Sequence, residues 1–125
     1  MPLKTILVED SKTIRDNLIP AMADLADVEV IGVAETASEA MTVLALHAGA
    51  WQLAVVDMFL REGSGLTVVR GCHSREPWQR VVVLTNYATA EIRSRCIGLG
   101  ADAVFDKSNE IEDFFDYCNS LEDGR

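Results

Sequence analysis

The sequence predicts an α/β protein built on a parallel sheet of five strands. Three observations carry that prediction: five short apolar runs, helix-period segments between them, and polar residues placed where the runs end. The runs fall at residues 3–8, 28–34, 51–57, 80–85 and 103–106, and each is a nearly unbroken series of Val, Ile, Leu or Ala. Unbroken runs, as opposed to alternating ones, mark strands buried on both faces. Regular alternation of strand and helix then implies a right-handed α/β sandwich.

The first run, Thr5-Ile6-Leu7-Val8, stops at Glu9 and Asp10. Ile14, Leu18, Met22 and Leu25 follow at spacings of four and three, the stripe of an amphipathic helix laid on a sheet. Pro20 falls inside that helix and should kink it or remove a hydrogen bond. After the second run, Thr36 and Glu39 form a capping box, and Ala40, Val43, Leu44 and His47 make the next stripe. The third run reaches Asp57 through Leu53-Ala54-Val55-Val56, and the fourth reaches Thr85 through Val81-Val82-Val83-Leu84. Gly98 and Gly100 punctuate the end of the fourth helix, and Ala103-Val104-Phe105 leads to Lys107. Trp51 and Trp78 each precede a strand and should plug the bottom of the core.

With 125 residues and 49% hydrophobic content, the chain can bury a core but has no room for a second domain, so residues 1–125 read as one unit. No apolar run reaches membrane-spanning length, and Met1-Pro2-Leu3-Lys4 leads into a strand, unlike a signal peptide; a cytoplasmic protein is expected. Cys72, Cys96 and Cys118 are odd in number and lack ligand spacing, which makes them reduced thiols. His47 and His73 have no partners that suggest chemistry. A net charge of −9 argues against direct binding of nucleic acid. Much of that charge is Glu110, Glu112, Asp113, Asp116, Glu122 and Asp123, answered only by Arg125. This reads as a solvated helix face, with a surface that selects basic partners as the sharper alternative.

In an open parallel sheet the C-terminal strand ends lie along one edge. Glu9, Asp10, Asp57, Thr85 and Lys107 would therefore converge, and carboxylates, a hydroxyl and an ammonium together suit a divalent cation and a phosphoryl group. Each residue has an ordinary alternative. Asp57 would cap a turn, Thr85 end a strand, Lys107 lie on the surface, and Glu9-Asp10 favour a helix dipole. Five such residues in order favour the pocket.

From Lys4 to about Leu121 the chain resembles a response-regulator receiver domain, the phosphoacceptor half of two-component signalling. The likeness rests on Leu7-Val8-Glu9-Asp10, on Val55-Val56-Asp57 with Gly65 eight residues later, on Val83-Leu84-Thr85, and on Gly100-Ala101-Asp102-Ala103 leading to Asp106-Lys107. It implies the flavodoxin-like strand order 2-1-3-4-5. It implies Asp57 as phosphoacceptor, with Thr85 and Lys107 contacting the phosphoryl group. Mg²⁺ would be held by Asp10, Asp57, the carbonyl of Phe59, and Glu9 through water. The implied partners are a sensor histidine kinase or histidine phosphotransfer protein upstream, and a target protein or attached output domain downstream. No output domain follows the last helix, so the chain is either a stand-alone receiver or one excised from a longer regulator. A phosphorylation-linked dimer is compatible with the resemblance.

Several residues depart from the family pattern. Val104 stands where receivers usually have Tyr or Phe, and Phe105 should face the other side of the sheet. That shifts the expected switch to Thr85, Tyr87 and the start of the fourth helix, within an output face of about residues 88–121. Asn86 either hydrogen-bonds the phosphoryl group or narrows access to it. Arg61 replaces a common Pro and should loosen the loop after Asp57. Two other classes compete. A haloacid-dehalogenase-type phosphatase needs an acid two residues after its nucleophile, where this chain has Phe59. A flavodoxin-like cofactor binder needs a phosphate-cradling loop where this chain has Glu9-Asp10.

Overall fold

The computed structural model describes residues 2–123. The strands are β1 (Leu3–Val8), β2 (Val28–Ala34), β3 (Leu53–Val56), β4 (Arg80–Thr85) and β5 (Ala103–Asp106). The helices are α1 (Lys12–Ala26), α2 (Ala37–Leu46), α3 (Gly65–Gly71), α4 (Ala90–Gly98) and α5 (Ile111–Asp123). The strands pair in parallel in the order β2-β1-β3-β4-β5, as the resemblance implied.

Alternating residues divide the core into two layers. Ile6, Val8, Ala54, Val56, Val81, Val83 and Val104 pack with Leu44, Val68 and Cys96 from α2, α3 and α4. Leu3, Leu7, Leu53, Val55, Val82 and Leu84 pack with Leu18 and Met22 of α1 and Phe114 of α5. Each Val, Leu, Ile, Phe or Met among them stabilises the fold by about 1.5–3 kcal/mol when fully buried. Phe105 meets Phe114 and Tyr117 on the second face while Val104 lies in the first, the separation that strand alternation predicted.

Four strands begin and end where the sequence put them, but β3 starts at Leu53, not at residue 51. The reason is local: the Trp51 N–H donates to the His47 carbonyl and so belongs to the turn that closes α2. Trp51 does plug the core, whereas Trp78 is 47% exposed and does not. On α1 the buried positions are Leu18, Met22 and Ala26, and Leu25 points to solvent. The helix runs unbroken through Pro20, which lies on the exposed face together with Asp16, so water reaches the carbonyl that the proline leaves without a donor. Thr36 caps α2 by accepting from the Glu39 N–H at 3.0 Å, and the Glu39 carboxylate reaches the Glu35 N–H at 2.9 Å. Cys72, Cys96 and Cys118 are buried, and the described residues contain no disulfide. Arg125, the one cation set against the last acidic residues, lies outside the described residues. Among the described residues, no helix is long and apolar enough to cross a membrane.

At the N-terminal edge of β4, Arg75 holds several segments at once. It donates to the carbonyls of Cys72 (3.0 Å), Gln79 (3.0 Å) and Gly100 (2.8 Å) and pairs with Asp102 at 2.9 Å. Asp102 in turn accepts from the Val81 N–H at 2.8 Å.

Candidate functional site

β1 and β3 lie side by side at the centre of the sheet, so the residues just past their ends meet. The Glu9 N–H continues the β1–β2 ladder to the Ala34 carbonyl at 2.9 Å, and the Asp57 N–H bonds the Val8 carbonyl at 2.9 Å. Backbone pairing thus fixes both acids before their side chains do anything. Glu9, Asp10 and Asp57 each offer a carboxylate oxygen within 4.8 Å of the others. Glu9 is 2% exposed and Asp57 9%, while Asp10 is half-buried.

Lys107 arrives from the far side of the sheet. Its N–H donates to the Thr85 carbonyl at 2.9 Å, which extends the β4–β5 pairing by one residue. Its ammonium donates to Glu9 Oε1 and, at 3.2 Å, to Asp57 Oδ2. One positive charge therefore bridges two of three close carboxylates. Burial pushes the Glu9 carboxyl above its ordinary range, and the Asp57 charge adds to this. The Lys107 hydrogen bond and charge and the Ser11 N–H pull the other way without overcoming it.

Thr85 is fully buried, and its Oγ accepts from the Tyr87 N–H at 3.2 Å, which leaves its own O–H as a donor. Tyr87 is exposed and meets the exposed Phe59 ring edge-on at 4.8 Å. The two aromatics stand on the loops that follow β4 and β3. The Phe59 backbone pairs with Ser64 in a short antiparallel bridge, and the Gly65 N–H donates to the Met58 carbonyl at 2.9 Å. A Cβ at Gly65 would run into the Asp57 carbonyl oxygen, so the glycine that the sequence motif singled out lets α3 start directly against the acid's backbone.

Three arginine pairings that sequence reading missed support this geometry. Arg15 donates to the Glu9 carbonyl at 2.8 Å and pairs with Glu35 at 2.9 Å. Arg93 pairs with Glu110, a residue read from sequence as part of a solvated acidic face. Arg61 lies 3.5 Å from Glu35 and 3.8 Å from Glu39, which sets exposed ion pairs between the loop after Asp57 and the start of α2. Each pairing spans a sequence separation that no local pattern encodes.

A doubly wound 2-1-3-4-5 sheet with an oxygen-rich acidic pocket at its central strand ends defines a class of α/β proteins that bind at the point where strand order reverses. The model of the response regulator receiver domain matches residues 5–119. The chain belongs to that family. The phosphatase and cofactor-binder alternatives are thereby set aside. It is 31% identical over 99 residues to the DNA-binding transcriptional activator DevR/DosR of Mycobacterium tuberculosis (strain ATCC 25618 / H37Rv), covering 79% of this chain and 45% of that protein. It is 33% identical over 81 residues to the photosynthetic apparatus regulatory protein RegA of Rhodobacter capsulatus, covering 65% of this chain and 43% of that one. The chain thus spans less than half the length of these two relatives.

The fold is shared with a two-component response regulator of the LuxR family from Aurantimonas sp. SI85-9A1. There the TM-score is 0.86 at 18% identity, over 100% of this chain and 88% of that one. It is shared also with the CheX-CheY-BeF3-Mg²⁺ complex from Borrelia burgdorferi, at a TM-score of 0.85 and 16% identity, over 98% of this chain and 90% of that one.

Proposed function

We propose that Asp57 accepts a phosphoryl group from a phosphohistidine of a sensor kinase or histidine phosphotransfer protein. The observation that carries this reading is the Lys107 ammonium lying across Glu9 and Asp57 inside the acidic cluster. An Asp57 oxygen attacks phosphorus while the P–N bond breaks, and its electron pair returns to the imidazole nitrogen. Lys107 holds one phosphoryl oxygen as a point charge, and the Thr85 O–H donates to another. Glu9, Asp10 and Asp57, with the Phe59 carbonyl, would hold Mg²⁺; clustered hard oxygen donors suit that ion better than a soft metal. When bound, it neutralises the charge that otherwise keeps a carboxylate from an anionic donor.

Once the Thr85 hydroxyl is committed to the phosphoryl group, the loop carrying Tyr87 is the first element to feel it, because the Tyr87 N–H bonds that same oxygen. Signalling then passes to a target protein or an attached output domain through the α4–β5–α5 face, with dimerisation on phosphorylation as one form of output. Residues 1–125 act as one receiver unit, in the cytoplasm where a kinase can reach it, and the aspartyl phosphate is lost by slow hydrolysis.

The test is Mg²⁺ with acetyl phosphate, read by intact mass, and beryllofluoride, read by NMR. Wild type is modified and Asp57→Asn is not. Lys107→Ala retains metal binding yet is impaired in phosphorylation. Undiminished phosphorylation of Asp57→Asn refutes the assignment.

A further inference from the structure

We propose that Arg93 is a positioning residue for Lys107, acting through Glu110 and the turn that carries the lysine. The proposal rests on the reading of Lys107 as a phosphoryl contact. The Arg93 guanidinium spreads over three segments: Nε donates to the Ala88 carbonyl at 2.9 Å, Nη1 to the Val104 carbonyl at 3.2 Å, and Nη2 to Glu110 Oε1 at 2.5 Å. These belong to the loop after Thr85, to β5, and to the residue that leads into α5. A planar fork can serve three acceptors in fixed directions; a lysine cannot.

The same Glu110 Oε1 accepts from the Asp106 N–H at 2.9 Å. Asp106 Oδ1 then accepts from the N–H groups of Ser108 (2.7 Å) and Asn109 (3.0 Å), and the Glu110 N–H bonds the Asp106 carbonyl at 2.9 Å. With the Lys107 N–H on Thr85, every backbone N–H from Asp106 to Glu110 has an acceptor. Arg93 is the cation that keeps the Glu110 carboxylate turned inward. Without it, Glu110 gains by turning to water, the Asp106 N–H loses its acceptor, and the Lys107 stem loses the fixed base from which its ammonium spans Glu9 and Asp57.

Positioning and mere support of the fold predict different results. A displaced ammonium competes less for Glu9 and Asp57, so Mg²⁺ affinity holds or rises while phosphorylation slows. A damaged fold loses both together. The experiment compares Arg93→Gln and Glu110→Ala with the charge-retaining Arg93→Lys and the acceptor-retaining Glu110→Gln, all in the full chain. It measures Mg²⁺ affinity by titration with Mg²⁺ alone, the ¹⁵N resonance of the Lys107 ammonium, and the rate of modification by acetyl phosphate.

Arg93→Gln and Glu110→Ala are expected to shift the ammonium resonance, leave Mg²⁺ affinity equal or tighter, and slow modification roughly tenfold, the scale set by a small misplacement of a catalytic group. Arg93→Lys and Glu110→Gln should recover part of the rate, and they decide the matter where a harsher variant fails to fold. An unmoved ammonium with a wild-type rate in Arg93→Gln overturns the proposal, as does loss of Mg²⁺ affinity in step with rate. Wild type that takes up no phosphoryl group would sink the functional reading alone, because the ammonium resonance and Mg²⁺ affinity still report whether Arg93 positions Lys107.

Discussion

Gly65→Ala sets two physical effects against each other at the heart of the site. The residue opens α3 and is buried, and its backbone is not in the left-handed region, so alanine meets no conformational penalty there. Helix propensity alone would make the substitution stabilising by up to about 1 kcal/mol. Sterics oppose it. An added Cβ would lie 2.9 Å from both the Asp57 carbonyl carbon and the Met58 Cα, and nearer still to the Asp57 oxygen. Carbon contacts settle at about 3.5 Å or more, so α3 and the end of β3 must part by at least ~0.6 Å.

The atoms in the way are backbone and cannot rotate aside, which puts the cost at the upper end of the ~1–3 kcal/mol typical of overpacking. Because Asp57 itself is displaced, modification by acetyl phosphate should fall by about ten- to a hundredfold. Urea unfolding gives the first quantity and intact mass the second. Gly98→Ala is the control: nothing lies within 4 Å of the added Cβ, and it should gain up to about 1 kcal/mol. A Gly65→Ala variant as stable as wild type and phosphorylated at the same rate would refute the reasoning.

Glu9→Gln should be more stable than wild type at pH 7. Burial raises the Glu9 carboxyl, so its charge opposes folding above the folded-state value, and the advantage should disappear below the ordinary value of 4.5 where both states are protonated. Thermal midpoints at pH 7 and pH 4 check this, and a less stable variant at pH 7 contradicts it. Tyr87→Ala should change partner binding by the phosphorylated protein more than Val104→Ala, since Tyr87 is exposed on the loop bonded to Thr85 while Val104 is interior; the opposite ranking in a binding assay rejects it. Tryptophan emission should barely respond to Mg²⁺ or beryllofluoride, because Trp51 and Trp78 precede β3 and β4 at the edge opposite Asp57. A large quench by Mg²⁺ alone would place an indole in the acidic pocket.

The strands and the acidic cluster were legible because both depend on order along the chain. A short β-branched run such as Val81-Val82-Val83-Leu84 reads as a doubly buried strand, and parallel pairing with β3 then brings its end beside Asp57. Failures came where position is set by contacts across the fold. Trp78 has the same sequence setting as Trp51, yet Trp51 is buried, its N–H held by the His47 carbonyl in the turn that closes α2, while Trp78 is exposed. Leu25 fits a stripe at spacings of four and three, but the helix buries Ala26 instead. Arg61 and Arg93 carried no periodic signal at all. Their partners lie on other elements, and Glu110, which reads in sequence as one more solvated acid, has Arg93 beside it.

Arg75 has a mechanical consequence. By gathering the end of α3, the entry to β4 and the loop before β5 onto one guanidinium, it rivets the rim of the sheet farthest from Asp57. A body pinned at one end gives way at the other, as the ribs of a fan spread only away from their pivot. Displacements started at the acidic rim would then be spent in the loops around it and not dissipated through the whole sheet. Over evolutionary time the same pivot would let those loops be rewritten for new partners while the strands stay in register.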